Sequence, residues 1–134
     1  MQRVIVDTGP IVALHNRRER WHARVLRFFN GFAGVAFTTW PVVTESWHLL
    51  PAHRRDRLLP WLELGGVRIL HVPEEELASV RGLIGRYRDR PMALADATLV
   101  WLAERERLTD IITLDSGFES YRTISGARFT NRLA

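Results

Sequence analysis

The fold is indicated by a short apolar run that ends in an acid, QRVIVDTGP at residues 2–10. Residues 4–6 are three consecutive β-branched residues, which favour a strand buried on both faces. Asp7 closes the run, and residues 8–10 supply a cap and a first-turn proline for a helix. A buried strand that passes directly into a helix predicts the first unit of a parallel α/β sheet.

The rest of the chain repeats this alternation of strands and helices. Further strands are predicted at 35–38, 67–72 and 110–114, with a last edge strand at 127–130. Helices are predicted to begin at residue 8 and at Pro73, and to span 19–29, 41–50, 53–64, 93–107 and 117–121. This order predicts one domain, residues 1–134, with a parallel sheet covered by helices on both faces.

Composition excludes several classes of function. All nineteen basic residues among the 134 are arginine, so P-loop and Schiff-base chemistry, which need lysine, are excluded. The chain has no cysteine, and therefore no disulfide and no thiolate zinc site. No apolar run approaches the roughly 20 residues of a membrane span. A cytoplasmic protein is expected, and its net charge of +4 permits a nucleic-acid substrate.

Four carboxylates lie where a solvated acid is not expected. Asp7 and Asp115 each close an apolar strand, at the sheet edge where ligands of open α/β proteins bind. Glu45 and Asp96 lie on the apolar faces of two predicted helices, which normally turn their charges outward.

Each acid also has a purely structural interpretation. Asp7 and Asp115 both precede residues that begin a helix, so either can be a helix cap. Glu45 and Asp96 can form buried pairs with arginine, for which Arg3 and Arg122 are available.

Taken together, the four acids indicate a shared cation. Two carboxylates about 4 Å apart repel by roughly 4 kcal/mol at an effective dielectric constant near 20, so a cluster needs protons or a metal ion. Oxygen ligands without cysteine favour Mg²⁺ or Mn²⁺, and Ca²⁺ less so.

The segments that carry these acids resemble those of the PIN-domain ribonucleases, and among them the VapC-like toxins of toxin–antitoxin pairs. The resemblance rests on VIVDT (4–8), VTE (43–45), ADA (95–97) and TLDSGF (113–118). Each segment alone is weakly specific, but their order, spacing and predicted element types agree over the whole chain.

The resemblance implies a three-layer α/β/α sandwich and a Mg²⁺- or Mn²⁺-dependent endoribonuclease that cleaves RNA with a metal-activated water. It places Asp7, Glu45, Asp96 and Asp115 at the family's acidic, metal-binding positions. It assigns supporting polar roles to three neighbours, which are Thr8, Thr113 and Ser116. It also implies a VapB-like antitoxin and a homodimer.

One departure from the family pattern bears on metal number. The family often has a further acid two residues after the position of Asp115, and here that residue is Gly117. Glu119 is only a distant substitute. One firmly held metal is therefore expected, with a second recruited by RNA.

An arginine cluster, Arg17, Arg18 and Arg20, follows the helix that starts after Asp7 and is predicted to contact RNA. Two rival functions stay open. One is a PIN-like module that binds RNA or protein without cleaving it. The other is a receiver-like phosphoacceptor domain, which the missing lysine disfavours.

Overall fold

Five strands form one fully parallel sheet in the computed structural model, which describes residues Met1 to Ala134. The strands are β1 (Gln2–Val6), β2 (Gly34–Thr39), β3 (Arg68–Leu70), β4 (Asp110–Ile112) and β5 (Thr130–Asn131). Their order across the sheet is β3-β2-β1-β4-β5, so the first strand of the chain is also the central one.

Six helices flank the sheet. They are α1 (Thr8–His15), α2 (His22–Gly31), α3 (Trp40–Leu49), α4 (Leu58–Glu63), α5 (Leu77–Arg86) and α6 (Leu94–Glu106). This confirms the predicted α/β/α arrangement around a parallel sheet. None of the helices combines the length and the apolar character needed to cross a membrane.

The core is centred on β1 and α6. Residues 4–6 of β1 are completely inaccessible to water, as expected for a central strand covered on both faces. Helix α6 is buried without interruption from Ala95 to Ala103, whereas α2 buries only Val25. An acid carried by α6 is therefore forced into the interior, although the helix was predicted to be amphipathic.

The helix predicted over 53–64 is divided in two. Residues Ala52–Arg54 form a 3-10 turn, and α4 begins only at Leu58. Pro60 explains the break. In the middle of a continuous helix, residue 60 would have to donate a backbone hydrogen bond, and proline has no N–H to donate. In the first turn of α4 no such bond is made, so proline costs no hydrogen bond there.

Other boundaries differ from the sequence prediction too, among them α2, which begins at His22 and not at residue 19. The helix expected at Pro73 begins as a 3-10 turn, Glu74–Glu76, before α5. The short helix expected at 117–121 is a 3-10 helix, Ser116–Glu119. The last strand is β5, three residues later than the start predicted at 127, and it pairs in parallel with β4.

The strand order places a crevice at the carboxyl ends of β1 and β4. From β1 the chain builds outward through β2 and β3 on one side, and later returns to add β4 and β5 on the other. This is the reversal of strand order at which open α/β sheets bind ligands. Asp7 and residues 113–115 follow the two strands that border it.

We expect graded destabilisation at Ile5, which lies between Phe37 of β2 and Ile111 of β4 and has no exposed surface. Ile5→Ala should lower the free energy of unfolding by about 2–5 kcal/mol and Ile5→Val by about 0.5–1.5 kcal/mol, measured by urea denaturation. Leu59→Ala is the control, since Leu59 is half exposed. Equal losses at Ile5 and Leu59 would contradict this assignment of the core.

Candidate active site

Asp7 connects three elements at the carboxyl end of β1. Its Oδ1 accepts a hydrogen bond from the backbone N–H of Thr8 at 2.8 Å, which caps α1. Its Oδ2 accepts a hydrogen bond from the Thr113 hydroxyl at 2.7 Å. Burial raises the pKa of Asp7 to about 6, although these two hydrogen bonds oppose the rise, and the nearby charges of Asp115 and Glu45 add to it.

Thr113 is itself held by β5. The Asn131 side chain accepts from the backbone N–H of Thr113 at 3.3 Å and donates to its carbonyl at 3.0 Å. The Thr113 hydroxyl also accepts from the backbone N–H of Asp115 at 3.0 Å. One buried hydroxyl therefore fixes the position of Asp7 and the turn that carries Asp115.

Asp96 projects from the first turn of α6 and is 7% exposed. Its Oδ2 accepts a hydrogen bond from the Tyr121 hydroxyl at 3.4 Å. Burial raises its pKa to about 7, and the charges of Asp7, Asp115 and Glu45 add to the rise. The same surroundings raise the pKa of Tyr121 to about 12, so the phenol stays a donor to Asp96.

Three of the four predicted acids come together in space. One carboxylate oxygen from each of Asp7, Asp96 and Asp115 lies within 4.8 Å of the other two. Asp115 is exposed, unlike the other two, and its Oδ1 accepts from the backbone N–H of Gly117 at 2.9 Å. Asp7 and Asp115 are thus helix caps and members of the cluster at once, so the two interpretations of each residue are compatible.

Glu45 lies outside this group of three. It is half-buried on α3, and it is close enough to Asp7 and Asp96 that its charge raises the pKa of both. The structure therefore places it at the rim of the cluster.

Arginine does not neutralise the cluster. Arg3 pairs instead with Glu106, at 3.7 Å between Nη1 and Oε1. Arg122 donates to the backbone carbonyls of Glu119 and Tyr121. The alternative in which Glu45 or Asp96 forms a buried pair with one of these arginines is therefore wrong.

The two remaining predicted polar neighbours lie in different surroundings. Thr8 is buried, and its hydroxyl oxygen has no hydrogen-bond partner within the protein. Buried hydroxyls are normally paired, so this one adds an unsatisfied polar atom one residue from Asp7. Ser116 is exposed at the start of the last 3-10 helix.

Tyr121 explains the departure at Gly117. A Cβ added at Gly117 would lie 3.0 Å from the Tyr121 hydroxyl oxygen and 3.1 Å from the adjacent ring carbon. The place where the family pattern expects a further acid is therefore filled by the phenol that contacts Asp96. Nothing in the sequence marks Tyr121 as part of the site, since an aromatic residue at the end of a short helix usually belongs to the core. Glu119 is exposed and outside the cluster of three.

The three arginines predicted to contact RNA are all exposed, and they have different neighbours. Arg17 lines a polar cavity with residues of the α3–α4 connection. Arg20 stacks over the ring of Trp21, 4.9 Å from its centroid. Arg18 is exposed.

A cleft of about 610 Å³ opens beside Asp115. Thr113, Asp115 and Ser116 lie along it, together with the aromatic rings of Trp21 and Phe129. Of the three clustered acids only Asp115 lines the cleft, so the cleft adjoins the cluster and does not contain it. Its polar groups and aromatic surface are features that suit a nucleotide.

The donor set fits a hard divalent cation. It consists of carboxylate oxygens alone, and oxygen ligands are those preferred by Mg²⁺, Mn²⁺ and Ca²⁺. Burial first, and then the charges of neighbouring acids, raise the pKa values of Asp7 and Asp96, and no arginine offsets the rise. The unpaired hydroxyl of Thr8 adds a polar atom that is free to bind a ligand at the same place.

Comparisons with known proteins agree with this geometry. The PIN domain family model matches residues 4–123. Ribonuclease VapC26 of Mycobacterium tuberculosis is 29% identical over 132 residues, which cover 95% of this chain and 98% of that protein.

Solved structures share the fold. The crystal structure of Mycobacterium tuberculosis VapC20, a Sarcin-Ricin loop cleaving toxin, superposes with a TM-score of 0.77 at 22% identity, over 87% of this chain and 93% of that one. FitAB bound to the IR36 DNA fragment gives 0.66 at 18% identity, over 98% and 96% of the two chains. FitAcB from Neisseria gonorrhoeae gives 0.63 at 21% identity, over 95% and 96%.

The charge of Asp7 should destabilise metal-free protein at high pH and cease to do so as the pH falls. The pKa of Asp7 is about 6 in the folded state against 3.8 for an unperturbed aspartate, so the folded state binds protons more readily. The destabilisation caused by the charged Asp7 is fully present above about pH 7 and disappears as the pH falls toward about 4. At about pH 8 in EDTA, Asp7→Asn should therefore raise the free energy of unfolding by about 1–3 kcal/mol.

Urea denaturation of the wild type and of Asp7→Asn, at about pH 8 and at about pH 4, tests this expectation. Adding Mg²⁺ at the higher pH should stabilise the wild type but not Asp7→Asn, because ligation requires deprotonated carboxylates. Glu63→Gln, a change of an exposed acid on α4, is the charge-matched control. A stability difference between the wild type and Asp7→Asn that does not shrink as the pH falls toward about 4 would contradict the raised pKa of Asp7.

Proposed function

This chain belongs to the PIN domain family, and from that premise we propose that it is a divalent-metal-dependent endoribonuclease of the VapC toxin type. The observation that carries the proposal is the convergence of Asp7, Asp96 and Asp115 within 4.8 Å at the switch point of the sheet. Arginine does not neutralise these acids, so the arrangement is costly without a cation.

We assign direct metal binding to the group of three and a rim position to Glu45. Asp7 is the most rigidly held, because both its oxygens accept hydrogen bonds. Asp96 is oriented by Tyr121, and Asp115 by the N–H of Gly117. When bound, Mg²⁺ or Mn²⁺ supplies a Lewis acid that activates water and balances the negative charge of a phosphodiester.

The reaction is hydrolysis of an RNA phosphodiester. A water oxygen loses a proton and forms a bond to phosphorus, while the bond to the leaving ribose oxygen breaks in line and that oxygen gains a proton. The scissile phosphate would lie at the cluster of Asp7, Asp96 and Asp115. The cleft that Asp115 shares with Ser116 and Trp21 would hold the adjoining part of the RNA. Single-stranded or looped RNA fits such a site, because its unstacked bases reach aromatic surface.

The proposal includes a partner and a location. VapC-type membership implies a small VapB-like antitoxin that covers the acidic cluster, and a homodimer of this chain. It also implies action in the cytoplasm, where RNA is met.

Removing any one member of the group of three should abolish cleavage. Asp7→Asn, Asp96→Asn and Asp115→Asn are each expected to reduce the cleavage rate at least about 100-fold in Mg²⁺ or Mn²⁺, because each substitution removes a charged ligand. Glu45→Gln should cost less, about tenfold, since Glu45 lies at the rim. The measurement is gel analysis of a labelled RNA under single-turnover conditions.

EDTA should stop wild-type cleavage, and Glu63→Gln should leave it unchanged. Cleavage that persists in EDTA and in Asp7→Asn would refute the metal mechanism. RNA binding without any cleavage in Mg²⁺ or Mn²⁺ would favour the non-catalytic module instead.

Thr113→Val should impair cleavage without removing a ligand. Valine has the shape of threonine but donates no hydrogen bond to Asp7, so Asp7 is no longer held against Asp115. We expect a loss of about 10–100-fold in activity or metal affinity, the range for groups that orient a ligand. Thr113→Ser retains the hydroxyl and should restore activity, which a purely packing role for Thr113 would not predict.

A further inference from the structure

A second polar cavity lies at the far end of α1 from the carboxylates. Its volume is about 340 Å³, and only one of its eight lining residues is hydrophobic. It is formed where the end of α1 meets the start of α2 and the α3–α4 connection. Helix α1 has eight residues, so it separates the cavity from Asp7 by about 12 Å.

The cavity carries an excess of positive charge. Three guanidinium groups, those of Arg17, Arg54 and Arg57, line it against the single carboxylate of Asp56. None of the three takes part in an ion pair, since the ion pairs of the chain join Arg3 to Glu106 and Arg132 to Asp110.

Arg54 supplies an independent indication of a ligand. Its Nε is buried and has no hydrogen-bond partner within the protein. Leaving a buried donor unpaired is unfavourable, and charged donors are affected most. Because Nε itself is inaccessible, an anion in the cavity would contact the other nitrogens of Arg54 and offset the charge of the group.

Two histidines, His15 and His22, line the cavity, and hydrogen bonds to the backbone hold both in place. His15 donates from Nδ1 to the carbonyl of Ile11 at 2.8 Å, and His22 donates to that of Ala13 at 2.7 Å. His15 also packs edge-on against Trp61, with 5.0 Å between ring centroids. Imidazoles held through Nδ1 are common in metal sites, but three guanidinium groups around one cavity exclude a cation and select an anion.

We propose that this cavity binds a phosphate of the RNA strand whose scissile bond lies at the carboxylates, an inference that rests on the proposed function. Arginine forks match phosphate oxygens in pairs. An RNA strand that crosses α1 would meet the carboxylates at the first residue of the helix and the arginines at its last turn. The site fixes the position of the RNA and reads no base.

The test measures RNA binding by protein that cannot cleave. Arg17→Gln and Arg57→Gln are combined in the Asp7→Asn background, since both arginines are exposed and their substitution leaves the core intact. Affinity for a fluorescent single-stranded RNA is measured by anisotropy over a range of salt. The slope of log K against log salt should become shallower by about 0.7 to 1, because the double variant no longer neutralises one phosphate.

Two further variants sharpen the result. Arg81→Gln, in the same background, removes an exposed arginine from α5, which contributes nothing to the cavity, and should leave the salt slope unchanged. Asp56→Asn removes the one negative charge of the cavity and should tighten RNA binding. A change of the same sign in Asp56→Asn and in the arginine double variant would overturn the proposal.

The outcomes separate this inference from the proposed function. If Asp7→Asn protein binds RNA and the double variant keeps its salt slope, the phosphate site is refuted and the nuclease stands. If the slope falls but wild-type protein never cleaves RNA, the nuclease is refuted and the phosphate site stands.

Other ligands are distinguished by two probes. Inorganic phosphate that shifts the NMR signals of His15 and His22, with no change of RNA slope in the double variant, would identify a site for free phosphate and overturn the RNA assignment. Loss of binding to a poly-glutamate peptide, with RNA binding unchanged, would identify an acidic protein partner and overturn it equally.

Discussion

The hydrogen bond from the Thr113 hydroxyl to Asp7 is the contact on which the rest of the site depends. It joins the carboxyl ends of β1 and β4, the two strands between which the strand order reverses. The other oxygen of Asp7 caps α1, and Thr113 also holds the N–H of Asp115. A single buried carboxylate therefore sets the start of a helix, the contact between two strand ends and the geometry of the cluster.

This arrangement sets function against stability. The most buried helix of the protein carries Asp96, and the most buried strand ends at Asp7, so both acids lie where water cannot solvate their charge. Their raised pKa values measure that conflict. A fold selected for stability alone would place uncharged residues at both positions. The cation that we propose accounts for their presence, because it would turn repulsion among the acids into ligation.

Much of the fold and part of the site were predictable from local sequence. An apolar run closed by an acid fixes both a strand and the sheet edge at which the acid lies, which is why Asp7 and Asp115 were found. Glu45 was predicted from helical periodicity. Periodicity shows which face of a helix a residue occupies but not how close that residue comes to the cluster, and Glu45 lies at the rim. Pro60 was a sequence signal that the helix predicted over 53–64 is interrupted. The helical spacing of the apolar residues around it favoured a continuous helix, and that prediction was wrong. Tyr121 was missed because its role depends on the space left by Gly117, a relation between two elements that no periodicity reports.

Long-range assembly explains the cationic cavity in the same way. Arg17 lies in one charge run and Arg54 and Arg57 in another, and each run alone is typical of a solvated surface. The fold brings them together because the α3–α4 connection packs against the end of α1. Helix α1 then has an acidic cluster at its first residue and an arginine cavity at its last turn. A cation at one end and a phosphate at the other are bound without competing for the same ligands, and the rigid helix between them fixes how far along the strand the reacting bond lies from the held phosphate.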